Sequence, residues 1–249
     1  MAVVIVADDF GLSTPINLGI VRAFDEHLIT CTSMIANMPA FEEAVSLARV
    51  HDLDGRIGVH LNLVEGISLT KPIRGCPRFA QQDGTLIWRH RNVWSLSSAE
   101  REGIAMEWRA QVQRIIGSGI TPTHLDSHMH THTSWPLGTI AIALAREFGI
   151  RHLRLSRNCG PLPRLPVRAY KALFNARVHR AELSRTQFFG PASEMREVIA
   201  TARGPVEVMT HPELATDGRL INHTDGMLLA PSILALQVGD RARSYREIE

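Results

Sequence analysis

The sequence predicts an α/β fold, a single domain over residues 1–249 built on a mostly parallel sheet of about seven strands. Short apolar runs rich in β-branched residues alternate with amphipathic segments of helical period along almost the whole chain. A length of 249 residues is typical of one α/β barrel. The sequence contains neither GxGxxG nor GxxxxGK[ST], which disfavours the nucleotide-binding α/β folds. We therefore expect a barrel or an incomplete barrel.

Composition narrows the class of protein. Hydrophobic residues make up 45% and charged residues 21% of the chain, which is typical of a globular domain. A net charge of +2 gives no reason to expect a nucleic-acid partner. The three cysteines are far apart and lack CxxC spacing, which argues against disulfides and a thiolate zinc site. Without a signal-peptide pattern or an apolar stretch of ~18 residues, a cytoplasmic protein without a membrane span is expected.

The first quarter of the chain supplies three strands and two helices. The first strand is a continuous apolar run, as expected for a strand buried on both faces. In the third strand, His60 and Asn62 lie on the face opposite to the apolar residues, because strand side chains alternate. The predicted elements are strand 2–7, helix 15–27, strand 30–37, helix 40–50 and strand 56–63.

Residues 64–96 interrupt the alternation of strands and helices. They are rich in Gly and Pro and show little periodicity. Such a long excursion in a compact domain is usually a functional lid or a binding loop. Its two tryptophans, Trp88 and Trp94, would either stack on the faces of sugar rings or pack the excursion onto the barrel.

The remainder of the chain returns to the α/β pattern. A helix is expected from residue 97, with Ser97 or Ser98 as its cap and acidic residues in its first turn. The predicted elements are helix 97–117, strand 123–128, helix 135–148, strand 151–155, a helix from 166, strand 186–189, helix 191–203, strand 205–210 and a tail, 227–249, that is helical at first.

The fourth strand contains an unusual concentration of histidines. Four of the twelve histidines fall between residues 124 and 132, with Asp126 among them. Imidazole and carboxylate together suit Zn²⁺, Fe²⁺, Ni²⁺ or Co²⁺. If 123–128 is extended, His124, Asp126 and His128 share a face. The alternative is a His-rich loop that binds no ion.

Polar residues also occur where other predicted strands end. Because the carboxyl ends of parallel strands meet on one face of a barrel, these residues should lie together there. The expected result is a metal site with one Asp and two His and with room for a water. A second carboxylate would then deprotonate the water, and a histidine would protonate the leaving amine. The candidates are Asp8, Asp9, His60, Asn62, the histidines from His124 to His132, Arg154 and His211. For Asp8 and Asp9 the alternative is one helix-capping and one surface carboxylate.

Seven stretches of the sequence resemble the YdjC-like carbohydrate deacetylases, in the order found in that family. This group includes chitooligosaccharide deacetylase and a hopanoid-biosynthesis relative. The match spans nearly the whole chain, which makes it specific. The stretches are ADDFGLS at 7–13, TSMIANMPAFEEAV at 32–45, GVHLNL at 58–63, PTHLDSHMHTH at 122–132, LRLSR at 153–157, EVMTHPE at 207–213 and SYRE at 244–247.

The resemblance implies a distorted (β/α) barrel and the metal-dependent removal of acetyl groups from N-acetylated sugars. It implies that Asp9, His60 and His128 hold one divalent ion, Zn²⁺ or Mg²⁺, with Co²⁺ or Ni²⁺ also compatible. By analogy with other polysaccharide deacetylases, Asp8 would be the general base and His211 the general acid.

The resemblance leaves other roles open. Arg154 would orient Asp8 or bind substrate. The expected groups that orient the ligands or bind substrate are Asn62, His124, Asp126, His130 and His132, of which His132 is the most readily structural. Residues 64–96 and 157–189 align poorly with the family. They are therefore expected to select the substrate, a glucosamine-type mono- or oligosaccharide or a lipid-linked glycan. A homo-oligomer is compatible with the sequence.

Two rival functions remain open from the sequence. One is a metal-dependent phosphoesterase or amidase on a non-sugar substrate, and phosphate chemistry commonly uses two metals ~3.5–4 Å apart. The other is a non-catalytic protein that binds metal or sugar. The acid pair beside three candidate ligands argues against the second rival, because a storage site needs no additional base.

Overall fold

Six parallel strands form one curled sheet that makes a half-barrel, with the order β4-β3-β2-β1-β6-β5. The computed structural model describes residues 1–88, 93–161 and 163–248. The predicted α/β class and the distorted barrel are confirmed. The strands are β1 Val3–Phe10, β2 Cys31–Met34, β3 Ile57–Leu61, β4 Leu125–Ser127, β5 Phe188–Pro191 and β6 Val206–Thr210.

Seven α-helices occur in the described residues, and their apolar residues pack against one face of the sheet. In β1, Val3 and Ile5 belong to this helix-facing core, whereas Val4 and Val6 pack with Tyr245 on the other face. Strand β1 is therefore buried on both faces, as its apolar run predicted. The helices are α1 Thr14–Asp25, α2 Phe41–Val50, α3 Ser98–Gly117, α4 Trp135–Glu147, α5 Leu165–Arg180, α6 Arg196–Thr201 and α7 Leu229–Leu234.

The prediction of about seven strands in the sheet was wrong by one, because residues 151–155 do not form a strand. Leu153 makes a single parallel bridge to Leu125 of β4. On the other edge of the segment, the Leu153 N–H donates to the Leu183 carbonyl, which lies outside any strand. The segment still follows β4 closely enough for the Arg154 N–H to donate to Leu125.

The fourth strand is also shorter than predicted. It ends at Ser127, and residues 128–133 form a 3₁₀ turn in which Met129 (φ 52°) and His130 (φ 54°) are left-handed. Left-handed backbone is costly for residues with a side chain and concentrates at functional sites. The turn begins at His128, so this side chain is placed by a turn and not by the strand.

A short antiparallel hairpin after β6 was not predicted. Its strands are β7 Pro212–Leu214 and β8 Leu220–Asn222. It lies against α1 where Gly19 has no side chain: a Cβ there would lie 2.7 Å from the Glu213 Cα. The hairpin starts immediately after His211 and ends immediately before His223, so it brings these two residues together.

The helix predicted for 191–203 is a 3₁₀ turn followed by α6. The tail is helical at first, over α7, as predicted, and two 3₁₀ turns follow at Gly239–Arg241 and Tyr245–Ile248. The excursion 64–96 is held to α3 by Glu107, which accepts hydrogen bonds from the backbone of Leu69 and Thr70. Its residues 89–92 lie outside the described residues.

In the described parts of the chain, no helix is both long and apolar enough to cross a membrane.

Candidate metal centre

The backbone at the end of β1 brings two adjacent carboxylates into one site. In a regular strand, the side chains of Asp8 and Asp9 would point to opposite faces. Asp9 instead has a left-handed backbone (φ 75°), and the pairing register between β1 and β2 shifts at this point. Both carboxylates are almost fully buried, with 2% of each residue exposed. The two carboxylates therefore lie at the same end of β1, shielded from solvent.

Asp9, His60 and His128 form a compact cluster of potential ligands. Asp9 Oδ1 lies 2.7 Å from His128 Nδ1 and 3.2 Å from His60 Nε2. One ligand atom from each residue lies within 4.8 Å of the others. Two imidazoles and a carboxylate form a donor set that is common for divalent metals, notably zinc. The structure thus brings together the three residues that the resemblance implied.

The ring nitrogens that point away from this cluster are bound to carboxylates. His60 Nδ1 lies 2.6 Å from Asp126 Oδ1, with Ser33 Oγ at 3.0 Å. His128 Nε2 lies 3.0 Å from Glu65 Oε1. Metal-binding histidines usually donate their second N–H to such a group, which fixes the tautomer and the ring orientation. The three residues therefore fit a divalent ion, with His60 Nε2, His128 Nδ1 and Asp9 as its ligands.

The charges of the cluster favour a cation at the Asp9 carboxylate. Burial alone would raise the pKa of Asp9, but hydrogen bonds from His128, His223 and His60 outweigh it and hold this pKa well below its usual value. Burial would lower the pKa of His60, yet the neighbouring carboxylates, Asp126 first, raise it to about 10. The pKa of His128 rises to about 9 because Asp9 and Glu65 outweigh its burial. Without a metal, protons on the two rings balance the carboxylates.

Arg154 is fully buried beside this cluster and binds the second carboxylate of the pair. Its Nη1 and Nη2 donate to Asp8 at 2.6 and 2.7 Å, and Nη1 also lies 2.7 Å from Asp126 Oδ2. Asp8, Asp126 and His60 also lie close enough to share an ion. Because the guanidinium already pairs with both of these carboxylates, the cluster around Asp9 is the better fit for an ion. The bidentate contact holds the plane of the Asp8 carboxylate, which is the geometry that the first of the two roles expected for Arg154 requires.

The two histidines that flank the hairpin, His211 and His223, lie next to the two adjacent carboxylates. His211 Nε2 lies 3.9 Å from Asp8 Oδ2, and His223 Nε2 lies 3.4 Å from Asp9 Oδ2. The two imidazole rings are 5.1 Å apart. Burial lowers the pKa of His211, although the charges of Asp8 and Asp9 act in the opposite direction. His211 therefore lies beside Asp8, the expected base.

Two of the other predicted histidines have contacts outside the cluster. The ring of His124 stacks on Tyr245 with centroids 4.4 Å apart, and Gly58 leaves the space that this ring occupies. His132 Nδ1 lies 2.6 Å from Ser127 Oγ, and its Nε2 lies 3.0 Å from the Arg154 carbonyl. Burial lowers the pKa of His124 to about 3 and of His132 to about 4. These contacts give both residues structural roles.

Asn62 and His130 differ in their surroundings. Asn62 is fully buried and organises the loop after β3: its amide donates to Asn37 and to the Glu65 carbonyl. His130 packs edge-on against Phe189, and its buried Nδ1 has no hydrogen-bond partner among the described residues. Of these two, only His130 offers a polar atom to a ligand.

Several residues of the site were not singled out from the sequence. Ser33 and Glu65 contact the two ligand histidines, and His223 contacts Asp9. Glu207 is fully buried in β6 and accepts a hydrogen bond from Arg154 Nε at 2.5 Å. An acid between apolar residues of a buried strand is unusual, so the sequence pattern alone could have identified Glu207 as a candidate site residue. No sequence pattern identifies Ser33, Glu65 or His223, because only tertiary contacts bring these residues to the site.

A cleft of about 470 Å³ opens beside the turn that carries His128. The end of the excursion and the first half of α5 form its walls, and the turn at 129–134 contributes to its lining. Tyr170 lies edge-on to Trp94, with ring centroids 5.9 Å apart, and its hydroxyl donates to the Thr133 carbonyl. Trp88 packs partly against the core, whereas Trp94 is 74% exposed. The residues that line the cleft are Trp88, Val93, Trp94, Met129, His130, Thr131, Thr133, Ser134, Ser156, Pro166, Val167, Tyr170 and Lys171.

Comparison with known proteins gives matches over most of the chain. The family model described as YdjC-like protein matches residues 2–244. A carbohydrate deacetylase of Brevibacillus brevis is 35% identical over 224 residues, covering 85% of this chain and 81% of the relative. A carbohydrate deacetylase of Halalkalibacterium halodurans is 32% identical, covering 85% of each chain.

One solved structure has the same fold. It comes from Enterococcus faecalis V583 and was suggested to be a cellobiose-phosphate cleavage protein. It is 22% identical, with a TM-score of 0.71 over 99% of this chain and 98% of that one. The extent of the family match and the identity to these relatives lead to one conclusion: the chain belongs to the YdjC-like protein family.

Proposed function

We propose that this protein is a metal-dependent hydrolase that removes the acetyl group from an N-acetylated sugar. The cluster of Asp9, His60 and His128 beside a separately held carboxylate, Asp8, is the observation that carries the proposal. Relatives that cover most of the chain are carbohydrate deacetylases. The two imidazoles favour zinc, cobalt or nickel over magnesium, which prefers oxygen ligands.

A divalent ion held by these three residues would lower the pKa of a bound water and polarise the acetyl carbonyl. Asp8, fixed by Arg154, accepts the proton of the attacking water as the new C–O bond forms. The C–N bond then breaks, and the sugar nitrogen needs one proton to leave as an amine. His211, whose Nε2 lies 3.9 Å from Asp8 Oδ2, would take up the proton that Asp8 gained from the water and deliver it to this nitrogen. The products are acetate and the free amino sugar.

The cleft beside the site would hold the sugar. Its wall offers the exposed Trp94 ring and the Tyr170 ring, and sugar rings stack on such surfaces through their apolar faces. The hydroxyl-bearing residues Thr131, Ser134 and Ser156 line the same cleft, as does His130. Aromatic rings beside hydroxyls form a lining suited to a carbohydrate. The excursion thus supplies part of the substrate site in this proposal.

The arrangement gives less support to a two-metal phosphoesterase. A second ion would have to bind Asp8 and Asp126, and both carboxylates are already bound to the buried Arg154 guanidinium. A purely metal-binding protein would have no need for Asp8, which is almost fully buried and is not among the three proposed ligands. Hydrolysis of an acetamido sugar is the function that uses all of these groups.

The proposal is tested by acetate release from a panel of N-acetylated mono-, di- and lipid-linked sugars. Activity should disappear with a chelator and return with Zn²⁺ or Co²⁺. Asp8→Asn should abolish turnover with metal content near wild type, whereas the matched change Asp9→Asn should lose the metal as well. Metal loss in Asp8→Asn with retention in Asp9→Asn would mean that the two roles are exchanged. Turnover of phosphoesters with two metals per chain would refute the proposal.

A further inference from the structure

Beneath the proposed active site, one guanidinium binds three carboxylates from three different strands. Arg154 contacts Asp8 at the end of β1, Asp126 in β4 and Glu207 in β6. All four side chains are at most 2% exposed. A buried charge is costly unless it is paired, so each of these contacts constrains the others. Arg154 is therefore shared by three carboxylates.

The three contacts use different edges of the guanidinium. Asp8 receives both Nη groups in a bidentate pair, which fixes the plane of its carboxylate. Glu207 receives Nε from the other side, at 2.5 Å. Because the guanidinium is planar and rigid, holding Nε fixes the direction of both Nη groups. The position of Glu207 therefore determines where Arg154 presents its donors to Asp8.

Glu207 lies below the reacting atoms. It is the second residue of β6, and the strand continues for three more residues before His211. At about 3.3 Å per residue, the backbone of Glu207 lies roughly 13 Å along the chain from that of His211. Residues paired with Glu207 in the sheet are Val4 and Phe189, which are buried and apolar. No described contact joins Glu207 to Asp9, His60 or His128.

The opposite side of Glu207 is closed by the C-terminal segment. Tyr245 is 1% exposed and packs against His124 and His152, with ring centroids 4.4 and 4.8 Å away. The Tyr245 phenol interacts electrostatically with the Glu207 carboxylate, whose Oε2 has no hydrogen-bond partner among the described residues. The backbone of Tyr245 is held by its N–H, which donates to Cys31 Sγ. Arg154 is therefore the group to which the Glu207 carboxylate is hydrogen-bonded.

We propose that Glu207 is a positioning residue for this reaction, which acts through Arg154 to hold the Asp8 carboxylate in place for proton transfer from water. The proposal rests on the proposed function, in which Asp8 is the general base. Glu207 does not touch the substrate or the metal ligands. Its loss should therefore lower kcat without changing KM or metal content.

The kinetic test is a double-mutant cycle on the metal-loaded enzyme. Glu207→Ala should lower kcat roughly 10- to 100-fold, the range typical of groups that orient a reacting side chain. Arg154→Lys removes the bidentate pair, and adding Glu207→Ala to it should cause little further loss. Additive losses would overturn the proposal, because residues that act through one another are not additive. A rise in KM with unchanged kcat would overturn it as well.

Two further variants distinguish a loss of kcat caused by lost positioning of Asp8 from one caused by lost stability. Glu207→Gln keeps an acceptor for Arg154 Nε and should recover much of kcat; a folded Gln variant as slow as the Ala variant would overturn the proposal. Ile115→Ala removes buried apolar atoms from α3 at a residue that lines neither the cleft nor the metal cluster. It should lower the Tm without lowering kcat. An equal loss of kcat in Ile115→Ala would show that Glu207 has no specific role.

A crystal structure of Glu207→Ala provides a readout that does not depend on activity. The Arg154 guanidinium should no longer pair with Asp8 through both Nη groups, and Asp8 should rotate. An unchanged bidentate pair would overturn the proposal. A wild-type enzyme that releases no acetate would instead refute the proposed function, and the crystal structures would then decide the role of Glu207 alone.

Discussion

At the residue scale, the site depends on one backbone conformation in β1. The left-handed Asp9 allows two adjacent carboxylates to serve different partners, Arg154 and the ligand cluster. A non-glycine residue with positive φ costs on the order of 1–3 kcal/mol, which the surrounding contacts must offset. Here Asp9 is held by hydrogen bonds from His60, His128 and His223. The strained backbone therefore belongs to one of the proposed metal ligands.

Metal binding should release protons, because the metal-free protein holds them on two ligands. The pKa values of about 10 for His60 and about 9 for His128 mean that both rings are protonated at pH 7. An ion needs the neutral nitrogens, so Zn²⁺ must displace up to two protons and its affinity should rise as the pH increases toward 9. Titration calorimetry in buffers of different ionisation enthalpy measures this number. A heat that does not depend on the buffer would contradict the prediction.

At the element scale, the excursion and α5 form the walls of the cleft. These segments lie within the regions that the sequence analysis expected to select the substrate. The base of the excursion is fixed by the Glu107 carboxylate, and Tyr170 of α5 is tied to the turn after β4 by its bond to Thr133. The metal cluster comes instead from strand ends and the turn at 128. The proposed function thus assigns substrate choice and catalysis to different elements.

Trp94→Ala should weaken sugar binding and leave the chemical step nearly intact. An aromatic contact of this kind contributes about 0.5–1.5 kcal/mol, which corresponds to roughly a 2- to 10-fold increase in KM. Steady-state kinetics on the best sugar of the panel measures it. Val50→Ala, an equally exposed apolar residue that does not line the cleft, is the control. A lower kcat with unchanged KM in Trp94→Ala would contradict a role in binding.

At the scale of the whole molecule, the curl of the sheet makes the site. Asp9, His60 and His128 come from β1, β3 and the turn after β4, and β1 and β3 are separated by β2. In a flat sheet with strands about 4.8 Å apart, side chains two strands apart would lie roughly 10 Å apart. The distance of 3.2 Å between Asp9 Oδ1 and His60 Nε2 shows how far the half-barrel closes this gap.

A metal that joins three elements should therefore stabilise the folded chain. Binding to the native state only, at 100 times Kd, contributes about 2.7 kcal/mol. For a chain of this size, that corresponds to a rise in Tm of roughly 5–10 °C. Differential scanning calorimetry with and without Zn²⁺ measures the shift, which Asp9→Asn should lack. A Tm independent of Zn²⁺ in the wild type would contradict the ligand assignment.

The sequence by itself determined the α/β class, most strand and helix positions and the set of polar strand ends, because these follow from local periodicity and from the ends of apolar runs. The resemblance added the roles, and its family assignment is confirmed; the individual roles of Asp8, His211 and the ligands stay predictions. Tertiary structure alone decided that 151–155 is not a strand, that His124 stacks on Tyr245, and that Glu65 and His223 join the site. Such contacts link residues far apart in the chain, and neither their geometry nor the left-handed Asp9 is encoded in local periodicity.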